Sequence, residues 1–183
     1  MRTSRVHAFA VLLIAALALA GCGGSDSPIR AAPRTVINVD AMRYGFDYPT
    51  DPAPTLGQIV APFSDAAGGA LNQLTLGPGT YTVSNAVGLA GANPSFTAWR
   101  FNGGSNWVWS VVIVDDATKK VVLYGEAGGI QSSQDAVASQ AAVQAFSASF
   151  SLATTTVLDF MIRDYYLADN AGGVSVAIDE VTP

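Results

Sequence analysis

The run from Trp107 to Val114 (WVWSVVIV) constrains the fold more than any other part of the chain. It is apolar at every position except Ser110, and tryptophan, valine and isoleucine favour β-strands. Successive side chains of a strand point to opposite faces, so a run that is apolar at nearly every position must be covered on both faces. The sequence therefore predicts a central strand with structure packed on each side.

Shorter runs of strand-forming residues, broken by turn residues, fill most of the chain after residue 34. In one of them Phe146, Ala148, Phe150 and Leu152 alternate with serines, which predicts a strand with one face in the core. The other expected strands are Thr35 to Val39, Leu56 to Phe63 (weak), Leu71 to Leu76, Thr80 to Ser84, Ser95 to Phe101, Val121 to Gly125, Thr155 to Ile162 and Val174 to Ile178. The two segments that flank Gly77-Pro78-Gly79 are expected to pair as a hairpin.

This pattern predicts an all-β fold with about eight or nine strands and turns between them. An antiparallel β-sandwich with a jelly-roll, galactose-binding-like topology is the expected architecture. One helix is predicted from Gln134 to Ala145, because this segment is rich in Ala and Gln and contains no Gly or Pro.

The first 21 residues predict a targeting segment, with Arg2 and Arg5 ahead of an apolar region from Ala8 to Ala20. As a helix this region would reach roughly 20 Å, short of the ~30 Å hydrocarbon core of a bilayer. It ends in Leu19-Ala20-Gly21-Cys22, which resembles the lipobox of bacterial lipoproteins. The alternative is an ordinary secretory signal that happens to end beside a cysteine.

The lipobox resemblance implies cleavage before Cys22, lipidation of its thiol, acylation of the new amino terminus with a fatty acid such as palmitate, and a lipid anchor in the cell envelope. Gly23 follows the cysteine where an Asp would favour retention in the inner membrane, so the outer membrane is expected. Residues 22–34 are rich in Gly, Ser, Pro and Ala and are expected to form a flexible linker. Residues 35–183 are then a single domain.

The chain contains one cysteine, Cys22, and one histidine, His7, which lies in the targeting segment. A mature chain without histidine or free cysteine cannot carry a Ser-His-Asp triad, a cysteine nucleophile or a zinc site of the usual ligands. A metal would have to be held by oxygen, which favours calcium. The net charge of −5, without basic clusters, argues against a nucleic-acid partner.

Oxygen ligands are most concentrated in the loop from Asp164 to Gly173, through Asp164, Asp169 and Asn170. Gly172 and Gly173 permit a sharp turn beside them. Calcium takes 6–8 oxygens, and the loop would supply about half of these. The alternative is a turn capped by its own Asp and Asn side chains, without a metal.

This loop and the strand that follows resemble the final hairpin of calcium-dependent galactophilic lectins. Asp164 matches the Asp that opens the lectin loop, and Asp169 and Asn170 match its Asn pair. The resemblance implies that these three residues bind calcium and that the calcium binds sugar hydroxyls. Other segments (VDAMRYGF, GPGTYTV and FTAWRFNGG) are similar to exported bacterial β-sandwich proteins of PEP-CTERM type.

The loop after Trp99 predicts a second contribution to a ligand site. An exposed indole can stack on the apolar face of a sugar, and Asn102 and Asn106 can bond its hydroxyls. The alternative places Trp99 in the core, where Trp107 and Trp109 are expected because they lie two residues apart on the central strand.

Carboxylates provide a weaker alternative. Glu126, Asp159 and Glu180 are the candidates for a glycosidase pair, although none lies in a recognisable motif and Asp159 is expected on the solvent face of its strand. The sequence favours a lipid-anchored, non-catalytic envelope module that is stabilised by calcium and binds carbohydrate or is adhesive. The alternatives are an assembly lipoprotein that binds an envelope protein and, third, a carboxylate glycoside hydrolase.

Overall fold

The computed structural model describes residues 34–47, 53–65, 69–101, 103–135, 137, 146–164 and 166–181. The predicted signal peptide, Cys22 and the linker up to residue 33 lie outside these residues, as does Asn102. Of the predicted helix, only Gln134, Asp135 and Val137 are described, and all three are helical. In this part of the chain, no helix has the length and apolar character needed to cross a membrane.

Eleven strands form the described fold, and every pairing between them is antiparallel. They are β1 (Thr35–Asp40), β2 (Tyr44–Asp47), β3 (Ala61–Ser64), β4 (Gln73–Leu76), β5 (Gly79–Asn85), β6 (Trp99–Arg100), β7 (Trp107–Asp115), β8 (Lys120–Gln131), β9 (Ser147–Leu152), β10 (Thr156–Met161) and β11 (Ala171–Glu180). The predicted all-β antiparallel sandwich is confirmed.

Nine of the strands are arranged in two layers with the main core between them, and β2 and β3 pair separately. The first sheet has the order β1-β11-β5-β9. The second has the order β4-β10-β7-β8, and the short strand β6 also pairs with β7. The core contains apolar side chains from both, including Val83, Phe150 and Val176 of the first sheet and Trp109, Ile113 and Leu158 of the second.

Strand β7 lies at the centre of the second sheet, as predicted. Its residues from Val108 to Val114 are all buried. Trp109, Val111 and Ile113 point into the main core, whereas Val112 and Val114 form a smaller cluster with Phe46 and Val60 on the opposite face. Phe46 belongs to the hairpin of β2 and β3, which therefore covers the outer face of β7.

Strand β11 joins the two sheets. Its first residues, Ala171 and Gly172, pair with β6, and from Gly173 onward it pairs with β1 and then with β5. The backbone at Gly172 has φ of 79°, and a Cβ there would lie 2.5 Å from the carbonyl oxygen of Ala98. A Cβ at Gly173 would collide with the carbonyl oxygen of Val39. The two glycines therefore allow one strand to bend from one sheet into the other.

The predicted hairpin of β4 and β5 is wrong. Strand β4 pairs with β10 in the second sheet, and β5 pairs with β11 and β9 in the first. The segment Gly77-Pro78-Gly79 therefore carries the chain across the sandwich, where Tyr81 donates a hydrogen bond to the carbonyl oxygen of Gly77 over 3.0 Å. The same turn residues suit a hairpin and a crossing between sheets. In both connections the two strands can bury their apolar faces, so the sequence pattern does not distinguish one from the other.

The strand predicted from Ser95 to Phe101 is much shorter than expected, since only Trp99–Arg100 is extended and paired. Asn93, just before this segment, holds its first residues in a turn: its side-chain oxygen accepts from the Ser95 N–H over 2.9 Å, and its carbonyl oxygen accepts from the Phe96 N–H over 2.9 Å. These bonds form a turn, which is a favoured role of Asn.

The alternation predicted for β9 is confirmed. Its serines are exposed, and Phe150 is buried against the ring of Tyr81 in β5, with 5.6 Å between the ring centroids. On the outer face, Thr80 pairs with Ser151 through hydroxyl groups 3.0 Å apart.

Replacing Gly172 with Ala tests the joint between the sheets. A left-handed backbone costs an L-residue about 1–2 kcal/mol, and the collision with Ala98 adds to this. We expect the free energy of unfolding to fall by about 3 kcal/mol or more, measured by urea denaturation. Gly88→Ala is the matched control, because Gly88 has φ of 82° with open space around its Cβ position. Equal losses in the two variants would contradict a crowded joint at Gly172.

Candidate functional site

Three loops meet where β11 begins, and we call this region the three-loop end. It comprises residues 40–43, 103–106 and 164–170, of which residue 165 is outside the described residues. The Gly103 N–H donates to the carbonyl oxygen of Asp169 over 2.9 Å, and the Asn170 side-chain amide donates to the carbonyl oxygen of Ala41 over 3.1 Å. The structure therefore brings together the two loops that the sequence singled out.

Asp164 forms a turn with its own loop. One of its carboxylate oxygens accepts from the Tyr166 N–H over 2.9 Å, which is the pattern of an Asx turn. A single 3-10 turn follows at Leu167–Asp169, and the Leu167 side chain is buried in the main core. This buried leucine fixes the loop against the sandwich.

Asp169 and Asn170 hold oxygens that no donor satisfies among the described residues. Asn170 is only 4% exposed, and its side-chain oxygen is buried without a hydrogen bond, as is Oδ1 of Asp169. A buried acceptor without a donor costs about 1–3 kcal/mol. Carboxylate and amide oxygens are the ligands that calcium prefers, so these two side chains fit a calcium ion.

The described residues contain no cluster of three or more His, Cys, Asp or Glu side chains suited to a metal. A calcium ion at Asp169 and Asn170 would therefore need further oxygens from the main chain, from amides or from water. Such ligands are common for calcium, which takes 6–8 oxygens.

Trp99 is not an exposed platform, and that prediction is wrong. It is 3% exposed, and its indole N–H donates to the hydroxyl of Ser110 over 3.1 Å. Strand β6 lies between β7 and β11, so its Trp99 side chain is enclosed in the core. Trp109 is fully buried, as predicted.

Trp107 is the tryptophan that reaches the surface, which the sequence did not predict. It is half-buried, and the guanidinium of Arg100 lies 5.7 Å from its ring centroid. Arg100 also donates to the carbonyl oxygen of Gly104 over 2.9 Å, which ties the loop to this pair. Asn106 is exposed beside Trp107, whereas Asn102 lies outside the described residues. The sequence signal for this exposure was the position of Trp107, which is the first residue of its strand and directly follows a Gly-Gly-Ser-Asn loop.

The three candidate carboxylates lie on separate strands. Glu126 is exposed in β8 and accepts a hydrogen bond from the hydroxyl of Tyr124, and Glu180 is exposed at the end of β11. Asp159 lies in β10 and is 0% exposed, so its predicted place on a solvent face is wrong. The turn after β7 covers it: the Asp116 N–H donates to the carbonyl oxygen of Val157 over 3.0 Å.

The environment of Asp159 favours its protonated form. Burial raises the pKa of Asp159, and the negative charge of Asp116 raises it further. A hydrogen bond from the side-chain amide of Gln73, over 2.9 Å, opposes this rise in pKa. Lys119 lies 2.6 Å from a carboxylate oxygen of Asp116, and this hydrogen bond lowers the pKa of Asp116. The neighbouring carboxyls thus have pKa values shifted in opposite directions.

No protein-family model, curated protein or solved structure matches this chain.

Replacing Asp159 with Asn tests this burial through pH. An Asp whose pKa is raised by folding binds its proton more tightly in the folded state. The wild-type chain therefore loses stability as pH rises from the ordinary Asp pKa, near 4, through the raised value. Asn cannot ionise and keeps the oxygen that accepts from Gln73. We expect the free energy of unfolding of the variant, relative to that of the wild type, to rise by about 1–3 kcal/mol from pH 4 to pH 7, measured by urea denaturation at each pH.

The exposed carboxyl of Glu180 provides the matched control, since Glu180→Gln should change stability little at either pH. A stability difference between the Asp159 variant and the wild type that is the same at pH 4 and pH 7 would contradict a raised pKa.

Proposed function

We propose that this chain is a lipid-anchored, non-catalytic β-sandwich module of the cell envelope that is stabilised by calcium and binds carbohydrate at the three-loop end. The observation that carries the proposal is the pair of buried oxygens on Asp169 and Asn170 that lack hydrogen-bond donors. The anchor itself is inferred from Leu19-Ala20-Gly21-Cys22.

Calcium would act here by joining loops. Asp169 already contacts the loop of Gly103, and Asn170 already contacts the turn of Ala41, through hydrogen bonds of 2.9 Å and 3.1 Å. An ion held by the remaining oxygens of these two side chains would fix the three-loop end in one conformation. It would also remove the cost of two unsatisfied acceptors.

The same end of the molecule offers groups that suit a sugar. Tyr166 is 59% exposed, and Trp107 is half-buried at the edge of the core with the exposed Asn106 beside it. Sugars bind through stacking of their apolar face on an aromatic ring and through hydrogen bonds to their hydroxyls. The burial of Trp99 transfers the stacking role to Trp107 and Tyr166.

A protein partner is the second candidate, and a different surface supports it. The side chains of Leu56 and Ile59 are 74% and 70% exposed, although both are large and apolar. Exposed apolar patches commonly mark protein–protein contacts. In this case the chain would act as an assembly lipoprotein that binds an envelope protein.

Calcium titration tests the proposed ion. A ligand present at 100 times its dissociation constant stabilises the folded state by about 2.7 kcal/mol. We expect millimolar calcium to raise the melting temperature of the full chain in detergent, and to release or absorb heat in calorimetry. Asp169→Asn should abolish most of both effects.

Glu180→Gln is the control for the calcium test, because Glu180 is exposed at the far end of β11 from the three-loop end and should leave calcium binding unchanged. If the wild-type chain shows neither heat nor a rise in melting temperature with calcium, the calcium site is refuted.

A glycan array, probed with the full chain in calcium and again in chelator, tests the ligand. We expect binding that is lost in chelator, and a roughly two- to tenfold weaker signal with Trp107→Ala, since stacking on one aromatic ring contributes about 0.5–1.5 kcal/mol. Phe63→Ala, in the hairpin of β2 and β3, controls for general loss of an aromatic side chain. An array without signal, together with capture of an envelope protein that Leu56→Ser prevents, would favour the protein partner instead.

A further inference from the structure

The carboxyl groups of Asp159 and Asp116 lie together where the turn after β7 covers β10, and we call them the carboxyl pair. Oδ1 of Asp159 accepts a hydrogen bond from Gln73, whereas Oδ2 is buried without a donor among the described residues. Asp116 is within hydrogen-bonding reach of Asp159. Two ionised carboxylates are both acceptors, so they can bond to each other only through a proton. A shared proton would therefore give the buried Oδ2 a partner.

The environments of the two carboxyls decide which of them holds the proton. Asp159 is 0% exposed, and burial raises its pKa. Asp116 accepts from the Lys119 ammonium over 2.6 Å, and this hydrogen bond lowers the pKa of Asp116. The proton therefore belongs to Asp159, and Asp116 is its ionised acceptor.

The charges that act on the carboxyl pair come from the pair itself and from Lys119. Strand β10 contains no charged residue besides Asp159, and the neighbour from β4, Gln73, is neutral. The buried residues of the cluster on the outer face of β7 are apolar. Asp115 of the turn acts on Lys119, and its own carboxylate accepts from N–H groups within the turn. The proton on Asp159 is thus controlled from the turn alone.

The turn is attached to the structure on two sides. The Asp116 N–H donates to the carbonyl oxygen of Val157 in β10 over 3.0 Å, and the carbonyl oxygen of Lys119 accepts from the Val60 N–H over 2.9 Å. Val60 belongs to residues 57–60, which we call the outer strap, and its side chain is buried in the apolar cluster on the outer face of β7. The carboxyl pair thus lies where the turn and the outer strap are fastened to the second sheet.

We propose that the carboxyl pair is a pH-sensitive clasp. It holds the turn and the outer strap on the second sheet while Asp159 and Asp116 share one proton, and it releases them when that proton is lost. Two negative charges would then lie at hydrogen-bonding distance in a buried place, where they repel more strongly than in water. Asp159 cannot retreat, because β10 pairs with β4 on one side and with β7 on the other. Asp116 can, because its turn is exposed at Ala117 and Thr118.

The clasp is closed at low pH and opens as the pH rises. Because folding raises the pKa of Asp159, its proton is fully bound below the ordinary Asp pKa of about 4 and is lost as the pH rises through the raised value. Asp116 stays ionised over this range, since Lys119 lowers its pKa. Release would uncover the apolar cluster beneath Val60 and would move Ile59, whose side chain is 70% exposed. The surface that supports a protein partner would therefore change with pH.

Hydrogen exchange of the full chain in detergent, measured by mass spectrometry at pH 4 and pH 8, tests the clasp. Protection is expressed relative to the intrinsic exchange rate at each pH, so that the pH dependence of the exchange chemistry cancels. We expect protection of residues 57–60 and 115–121 to fall by about tenfold or more from pH 4 to pH 8, because local opening controls their exchange. Protection of residues 174–178, in the core strand β11, should change by less than about twofold. Equal changes in all three segments, or no change in any, would overturn the proposal.

Two asparagine variants separate the shared proton from the burial of Asp159 alone. Asp159→Asn should keep its protection at pH 8, because its amide donates to Asp116 as the protonated carboxyl does and cannot ionise. Asp116→Asn should show a fall of less than about threefold, because the new amide donates to the ionised Asp159 and the second charge is gone. Asp115→Asn is the matched control and should keep the wild-type fall, since the oxygen that accepts within the turn is retained. A full tenfold fall in the Asp116 variant would assign the response to burial and refute the clasp.

Discussion

The close approach of backbone at Gly172 and Gly173 is the constraint on which the rest of the structure depends. Each glycine lies where a Cβ would meet a carbonyl oxygen, of Ala98 in one case and of Val39 in the other. Because neither has a side chain, β11 can pair with β6 in one sheet and with β1 and β5 in the other. The two sheets are thus held by a continuous strand in addition to their shared core.

The same bend determines where the candidate site lies. Asp169 and Asn170 immediately precede β11, and Leu167 is anchored in the core beside them. The carbonyl oxygen of Gly172 accepts from the Ala41 N–H over 3.1 Å, which fixes the third loop relative to the bend. Loops carry binding groups effectively when a rigid scaffold positions them. Here the scaffold is the strand that joins the sheets.

Strand positions were predictable wherever the side-chain period was decisive, as in β7 and β9, because burial of one or both faces leaves a clear pattern. Partners were less predictable. The segments around Gly77-Pro78-Gly79 were predicted to form a hairpin, yet they lie in different sheets. The alternation of apolar residues indicates which face of a strand is buried, but it does not indicate which strand is its neighbour. Trp99 and Trp107 show the same limit. Both lie beside the same loop in the sequence, but Trp99 is buried because β6 pairs with β7 on one side and with β11 on the other. Asp159 was missed because its cover, the turn at Asp116, is distant in sequence.

Two kinds of unsatisfied buried side-chain oxygen occur among the described residues, and their chemistry distinguishes them. Oδ2 of Asp159 lacks a donor, but its carboxyl can take up a proton, and the rise in its pKa shows that burial drives it in that direction. The amide oxygen of Asn170 has no such means, because an amide is not protonated at any physiological pH. Its own N–H₂ group is already committed to Ala41. A buried water with two to four polar partners would satisfy this oxygen, and so would the proposed calcium ion. Asn170, the less conspicuous member of the acidic loop, is therefore the residue whose buried acceptor the proposed calcium ion has most reason to satisfy.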